Sequence, residues 1–335
     1  MFDIITFGSA SQDIHVKSEK FRIIKGKEDF ATGEGICLPF GSKIDVEDVI
    51  FRSGGGGTNT AVGFAKQGFR VAFCGAIGAD SAGLEIVREL RQLKVDTRFL
   101  IKKKDKKTNC SVVILSKGGD RTILVYRGAS ELLCDKDVNL NKLKKTKWFY
   151  FAPLADSSCN ILENLVDFAK EKNIKVAVNP SKQQLSSPSL SKIFSKTDIL
   201  FLNQEEASFL TKITYEKESE IFKKIDELCP GVAVMTKGGE GVVVSDGKHL
   251  FSAKPDPERK VVDTTGAGDS FASGFLSAFI RYDGNIEEAI QLGLANSDAN
   301  LSEIGAKTGL LSKNDEFTRV PVKKEECNQN NCIIK

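Results

Sequence analysis

The sequence predicts an α/β protein in which a mostly parallel central sheet carries helices on both faces and a small β lid stands to one side. Three observations carry that expectation. From residue 148 to residue 245 apolar strand-like runs alternate with amphipathic helical runs, the rhythm of a parallel sheet. Polar residues recur where those strands end or the next element begins: Asn179, Asn203, Glu206, Thr236 and Asp263. Sheets of this kind bind ligands outside the carboxyl ends of their strands, so the coincidence marks a site. The rhythm also breaks twice, over residues 12–51 and 97–130, where strands follow one another without helices, and the two breaks are read as one lid.

The elements follow from local pattern. Asp3–Phe7 is a short apolar strand that stops at Gly8, and Asp13-Ile14-His15-Val16 alternates as a second strand. Asp13 is either an edge carboxylate or an acid that binds a hydroxyl; His15 is read as structural. Residues 20–50 show no helical pattern and are assigned to strands and turns outside the main sheet. Ser53-Gly54-Gly55-Gly56-Gly57-Thr58-Asn59 then runs into a small-residue helix that stops at Gly68. Four glycines directly before a helix let a ligand reach the backbone itself, whereas a flexible linker would not run straight into a helix. The run lacks the Gly-Lys-Ser/Thr of a Walker loop. Asn59 stands where a dinucleotide fingerprint needs its last glycine, which disfavours a dehydrogenase. A strand at 70–75 and a helix at 80–93 come next. Strands at 97–101, 109–116 and 122–127 follow, the last two joined by a hairpin turn at Gly118-Gly119-Asp120. Strands at 148–152, 176–178, 198–202, 232–236 and 242–245 then alternate with helices at 159–171, 189–194 and 221–228 and a helix opening at Asn203.

The totals narrow the class. The 335 residues suffice for one large domain, assigned to 1–318, with 319–335 as a loose tail. Basic and acidic residues number 48 and 45, and so close a balance argues against nucleic acid as a partner. No apolar run has the length of a membrane span, and the chain starts directly as a strand, so a cytoplasmic protein is expected. Eight cysteines without a CxxC pair, and only two histidines, disfavour a zinc site and suit a reducing compartment. Cys332-Ile333-Ile334-Lys335 has the outline of a prenylation box with an atypical last residue.

The most informative stretch is Val261-Val262-Asp263-Thr264-Thr265-Gly266-Ala267-Gly268-Asp269-Ser270-Phe271. Two carboxylates bracket small and hydroxylated residues, and Phe271, Phe275, Leu276, Phe279 and Ile280 follow at helical spacing. A Gly-rich turn that opens a helix gathers N–H groups and the positive end of the helix dipole at one spot. A carboxylate beside such an anion site is unfavourable unless it takes a proton from a reacting group. Asp269 therefore reads as a general base next to an oxyanion-type cradle. The plainer reading is a first-turn helix carboxylate above a structural turn.

With these motifs in hand, residues 3 to about 312 resemble the ribokinase-like carbohydrate kinases, the PfkB family. The resemblance rests on Gly54-Gly55-Gly56-Gly57-Thr58-Asn59, Asn203-Gln204-Glu205-Glu206, Thr236-Lys237-Gly238-Gly239-Glu240-Gly241 and Asp263-Thr264-Thr265-Gly266-Ala267-Gly268-Asp269-Ser270-Phe271, in that order. It implies a ribokinase-like three-layer α/β/α fold. It also implies an ATP- and Mg²⁺-dependent kinase that phosphorylates a sugar hydroxymethyl group, with ribose or a nucleoside as leading substrates. By the same resemblance Asp269 is the base, and Gly266, Ala267 and Gly268 form the anion hole. Asp13, Gly54, Gly55 and Asn59 belong to the sugar side. Asn179, Asn203, Thr236, Gly238 and Gly241 belong to the nucleotide side, and Asn296 faces the adenine. Glu206 organises Mg²⁺ through water. Asp263 and Thr265, with Gly305-Ala306, resemble a monovalent-cation loop and imply K⁺.

The chain departs from the family pattern in places. Gly56 stands where ribokinases carry Lys, Lys307-Thr308-Gly309 differs from the usual cation-loop continuation, and Asp156 lies near the place of a ribose-contacting Glu. Val125-Tyr126-Arg127-Gly128-Ala129-Ser130 resembles the lid strand of 2-keto-3-deoxygluconate kinases, where an arginine meets a carboxylate. Arg127 is thus an acid-sugar contact or a solvated lid residue. Two alternatives stay open: an acid-sugar kinase, and a regulator that binds nucleotide or sugar without catalysis, against which the intact Asp269 stands. The partners implied are small molecules, with neither nucleic acid nor membrane, and the lid is the face through which two copies would pair.

Overall fold

The structure, a computed structural model, describes residues 1–26, 34–115, 121–154 and 156–327. The hairpin turn expected at 118–120, the side chain of Asp156 and the Cys332 tail motif lie outside the described residues and side chains.

β1 (Phe2–Phe7) sits inside the main sheet because consecutive apolar residues bury both of its faces, Ile4 into one core and Ile5 and Phe7 into the other. The chain then leaves the sheet through β2 (Ser11–Lys17), β3 (Arg22–Lys25), β4 (Glu34–Cys37) and β5 (Asp48–Gly54). It returns through α1 (Gly56–Lys66), β6 (Val71–Gly78), α2 (Ser81–Gln92) and β7 (Asp96–Lys103), and leaves again through β8 (Asn109–Leu115) and β9 (Arg121–Tyr126). The alternating half contains α3 (Leu140–Leu143), β10 (Thr146–Phe151), α4 (Ile161–Glu171), β11 (Lys175–Val178), α5 (Lys182–Leu185), α6 (Leu190–Phe194), β12 (Ile199–Asn203), α7 (Gln204–Thr211), α8 (Glu218–Leu228) and β13 (Val232–Thr236). β14 (Val242–Ser245), β15 (His249–Ala253), α9 (Ala267–Arg281), α10 (Ile286–Leu301) and β16 (Val322–Glu326) complete it.

Ten of these strands form one sheet in the order β16-β15-β14-β13-β12-β11-β10-β1-β6-β7. Pairing is parallel from β7 to β13 and antiparallel from β13 to β16. One apolar core lies beneath α1, α2, α9 and α10, the other beneath α4, α6 and α8, which gives the expected three layers. The lid is a separate sheet, β5-β2-β8-β9, with β3 and β4 as a two-stranded ribbon beside it. Register within the lid sets Asp13 opposite Arg52 of β5 and Ser111 of β8.

Two expectations are corrected. The strand near 97–101, expected in the lid, is β7, which pairs in parallel with β6 and closes the edge of the main sheet. A strand–helix–strand unit (β6-α2-β7) places its second strand beside its first, and that geometry decides the assignment. The tail expected to be loose from residue 319 contains a strand instead: β16 pairs with β15 over five residues, from His249↔Glu326 to Ala253↔Val322. Its sequence, VKKEE, carries the charge of an exposed edge strand, so apolar periodicity gave no sign of it.

Candidate active site

The N-terminus of α9 is the wall between two clefts. Thr265, Gly266 and Asp269 line one, of about 560 Å³, whereas Thr264, Ala267 and Gly268 line the other, of about 320 Å³. Gly266 makes the turn that allows this. Its φ of 83° is left-handed, and a Cβ there would lie 2.4 Å from Ala306 Cβ, so no other residue fits. No side chain caps the helix, which leaves its first-turn amides for a ligand. A Cβ at Gly268 would meet nothing within 4 Å; the backbone there faces open space.

The larger cleft holds the residues expected on the sugar side: Asp13, Gly55, Asn59 and Arg127 all line it, together with Ser11, Asn109, Ser111 and Lys182. Asp13 comes from β2 and is buried, with Oδ1 accepting from the Ser11 hydroxyl at 3.0 Å. Burial pushes its carboxyl above the usual carboxylate range, while Ser11, Ser111, His15 and Lys307 pull it back. Gly54 sits against that carboxylate so closely that a Cβ would come within 1.9 Å of Asp13 Oδ2. Asn59, on α1, donates from Nδ2 to Asp269 Oδ2 at 2.8 Å. Its Oδ1 is buried and accepts from no described residue, which leaves an acceptor for a ligand hydroxyl. Arg127 is exposed at the rim.

Asp269 is mostly buried and meets the larger cleft at its edge. Burial raises its carboxyl above the usual range, and the Asn59 amide and the Lys307 ammonium oppose that rise. Beneath it lies Tyr150, fully buried, whose hydroxyl is pushed well above its ordinary value by burial and by the charges of Asp269 and Glu206. A group with that charge environment, able to take a proton beside helix amides that no side chain caps, can serve proton transfer coupled to chemistry on an anion.

The smaller cleft collects Thr236, Gly238 and Gly241, as expected, with Gly239, Ser297 and Asp298. Gly241 has a φ of 96°, and a Cβ on it would strike Ala253 O at 2.0 Å, so this turn also requires glycine. Asn296 does not face the cleft. It is 1 % exposed; Nδ2 donates to Ser270 O at 2.7 Å and Oδ1 accepts from Leu311 N at 2.8 Å. A helix advances about 100° per residue, so the cleft-lining face of α10 falls to Ser297 and Asp298 and the side chain of Asn296 goes to the α9 contact. Asp298 is held above the usual carboxylate range by burial, opposed by the Asp256 amide and Arg259.

Asn203 and Glu206 form a reciprocal cap on α7, with Glu206 N donating to Asn203 Oδ1 at 2.8 Å and Asn203 N to Glu206 Oε2 at 2.9 Å. Burial raises the Glu206 carboxyl. Neither residue lines the two clefts, nor does Asn179, whose side chain lies against the Tyr150 hydroxyl. Asp263 braces the approach to α9. Oδ1 accepts from the Thr265 amide at 2.9 Å and hydroxyl at 2.7 Å, and Oδ2 from the Gly305 amide at 3.0 Å. Burial raises its carboxyl, but these donors outweigh it and leave the group below its ordinary value. Among the described residues no cluster of three or more His, Cys, Asp or Glu could hold a metal by itself. No helix among them is long and apolar enough to cross a membrane.

Sequence reasoning did not single out Ser11, two residues before Asp13 on β2, or Ser111, which flanks Asp13 only through lid register, and it met Lys307 only as a departure from the cation-loop pattern.

Two clefts that meet at a helix terminus no side chain caps suit the passage of an anionic group from one bound molecule to another. The family model for pfkB family carbohydrate kinases matches residues 2–313, and the chain belongs to that family of sugar and nucleoside kinases. It is similar to a ribokinase of Haemophilus influenzae, 27% identical over 279 residues that cover 78% of this chain and 85% of that protein. It is likewise similar to a nucleoside kinase of Methanothermobacter thermautotrophicus, 28% identical over 231 residues, 68% of this chain and 72% of that one. In fold it matches the structure of Arabidopsis thaliana ribokinase complexed with ribose and ATP, with a TM-score of 0.77 and 23% identity over 93% of this chain and 96% of that one.

Proposed function

We propose that this kinase transfers the γ-phosphoryl group of ATP to a hydroxymethyl oxygen of ribose or a nucleoside. The observation that supports this most is the α9 terminus shared by a polyol-suited cleft and a glycine-lined one, with Asp269 on the first and the Gly268 backbone on the second. The acceptor hydroxyl would lie against Asp269, hydrogen-bonded within the reach of Asp13 and Asn59. As its oxygen bonds to phosphorus and the β,γ-bridging bond breaks, its proton passes to Asp269 and ADP leaves. The amides of Gly266, Ala267 and Gly268 would stabilise the charge on the transferring group.

Mg²⁺, when bound, would neutralise phosphate charge. Glu206, with Oε2 accepting from the Asn203 amide, leaves Oε1 for a metal-bound water, which suits an ion that keeps most of its waters. K⁺ would belong with the loop that Asp263 and Thr265 close against Gly305. Arg127 and Lys182 at the rim of the acceptor cleft support a second reading, an acid-sugar acceptor whose carboxylate they would meet. The outer face of the lid exposes Phe51 and Leu124, the surface we assign to pairing of two copies.

The test is an ADP-release assay over ribose, nucleosides, fructose phosphates and keto-deoxy acids, with and without K⁺. Turnover on ribose or a nucleoside is expected. Turnover confined to keto-deoxy acids, and lost in Arg127→Ala, selects the acid-sugar reading; turnover on none overturns both.

A further inference from the structure

Lys307 is 8 % exposed, rare for a lysine, and its surroundings are built. The ammonium donates to Ser53 Oγ at 2.6 Å and to Glu89 Oε2 at 3.3 Å, and the Ser53 hydroxyl donates to that same Oε2. Three elements meet there: the loop after α10, the lid strand β5 and the core helix α2. Gly305, two residues earlier, packs its backbone on the stem of Arg52, where a Cβ would come within 3.2 Å of Arg52 Cγ. Residues 305 and 307 thus grip consecutive positions of the lid strand. The next residue, Gly54, is the one pressed against Asp13, and the chain runs on through Gly55 into α1 and Asn59.

We propose that Lys307 is a positioning residue for the acceptor cleft: by holding Ser53 against Glu89 it fixes the end of the lid strand, and with it Gly54 on Asp13 and the turn that carries Asn59 to Asp269. The proposal rests on the reading of the larger cleft as the acceptor site. The ammonium faces carboxylates from three other elements, Glu89 of α2, Asp13 of β2 and Asp269 of α9, so it also supplies positive charge to the cleft. Glu89 keeps a third of its side chain exposed, where water can hydrate it once the lysine is gone.

The test uses the full chain with Lys307→Met and, as a milder break of the same clamp, Glu89→Gln. In Lys307→Met the acceptor KM is expected to rise at least about tenfold, since ångström-scale misplacement can cost on the order of 10²-fold. The ATP KM should stay within about twofold, and the acid limb of the kcat profile should move to higher pH as Asp269 loses a nearby cation. Hydrogen exchange of residues 48–54, measured without any substrate, should quicken in both variants. Glu89→Gln should shift acceptor KM in the same direction by less, and it carries the test if Lys307→Met does not fold. A parallel rise in both KM values, or unchanged exchange over 48–54, overturns the proposal. Exchange that quickens while no acceptor is phosphorylated by the unaltered chain leaves the clamp standing and removes the acceptor reading instead.

Discussion

Asn59 Nδ2 donates to Asp269 Oδ2 at 2.8 Å, which joins the helix behind the first glycine turn to the helix behind the second across 210 positions of sequence. The contact sets the charge state of the proposed base as well as its orientation, because a hydrogen bond to a carboxylate favours the ionised form. In Asn59→Ala that support is lost, and Asp269 keeps its proton to higher pH. The acid limb of the kcat profile should therefore shift upward, with turnover at pH 6 falling further than turnover at pH 8. A profile that scales down uniformly at all pH values would contradict the link.

Gly54 is constrained by Asp13 rather than by its own backbone. A methyl group at 1.9 Å from Oδ2 must displace the carboxylate. Overpacking of this kind costs about 1–3 kcal/mol, which corresponds to roughly five- to 150-fold in affinity if the strain falls on the acceptor. Gly54→Ala should raise the acceptor KM by that factor with ADP affinity unchanged by calorimetry. Equal losses for both ligands would place Gly54 outside the acceptor cleft.

Asn296 holds α10 to α9 and to the chain at Leu311 through buried hydrogen bonds. Truncation leaves buried partners unsatisfied, at about 1–3 kcal/mol each. Asn296→Ala should lower the Tm by several degrees while ADP affinity of the folded protein is kept. Asp298→Ala, on the cleft-lining face, should change ADP affinity instead. Lost affinity in Asn296→Ala at an unchanged Tm would restore that residue to the nucleotide.

The segment after residue 318 is tied down by more than β16. Gln291 exchanges two hydrogen bonds with the Val320 backbone, at 2.6 and 2.9 Å, and Arg319 pairs with Glu288. A chain ending at residue 318 should unfold at lower temperature and self-associate, since β15 becomes an open edge. An unchanged melting curve would mean that β16 contributes nothing.

Much of the site was legible because its chemistry is local. A glycine turn that opens a helix, and a polar residue at a strand end, are written in consecutive residues; Asn59 meets Asp269 in one cleft, and Thr236 and Gly241 share the other. The parts that were not legible depend on rotation or on distant pairing. Asn296 and Asp298 differ by two steps of one helix, and which of them faces the cleft depends on how α10 packs against α9. Ser111 reaches Asp13 only through the register of β2 and β8. Lys307 reads only as a departure from the cation-loop pattern until Ser53 of β5 and Glu89 of α2 are brought beside it. The charged β16 has the composition of a tail and the hydrogen bonds of a strand.

The proposed role of Asp269 is tested most directly by ADP release from Asp269→Asn with the best acceptor found, alongside ADP binding to the same protein. Loss of a general base lowers turnover on the order of 10²–10⁴-fold, so that drop is expected with ADP affinity intact. Turnover within tenfold of the unaltered enzyme would contradict the assignment of Asp269 as the base.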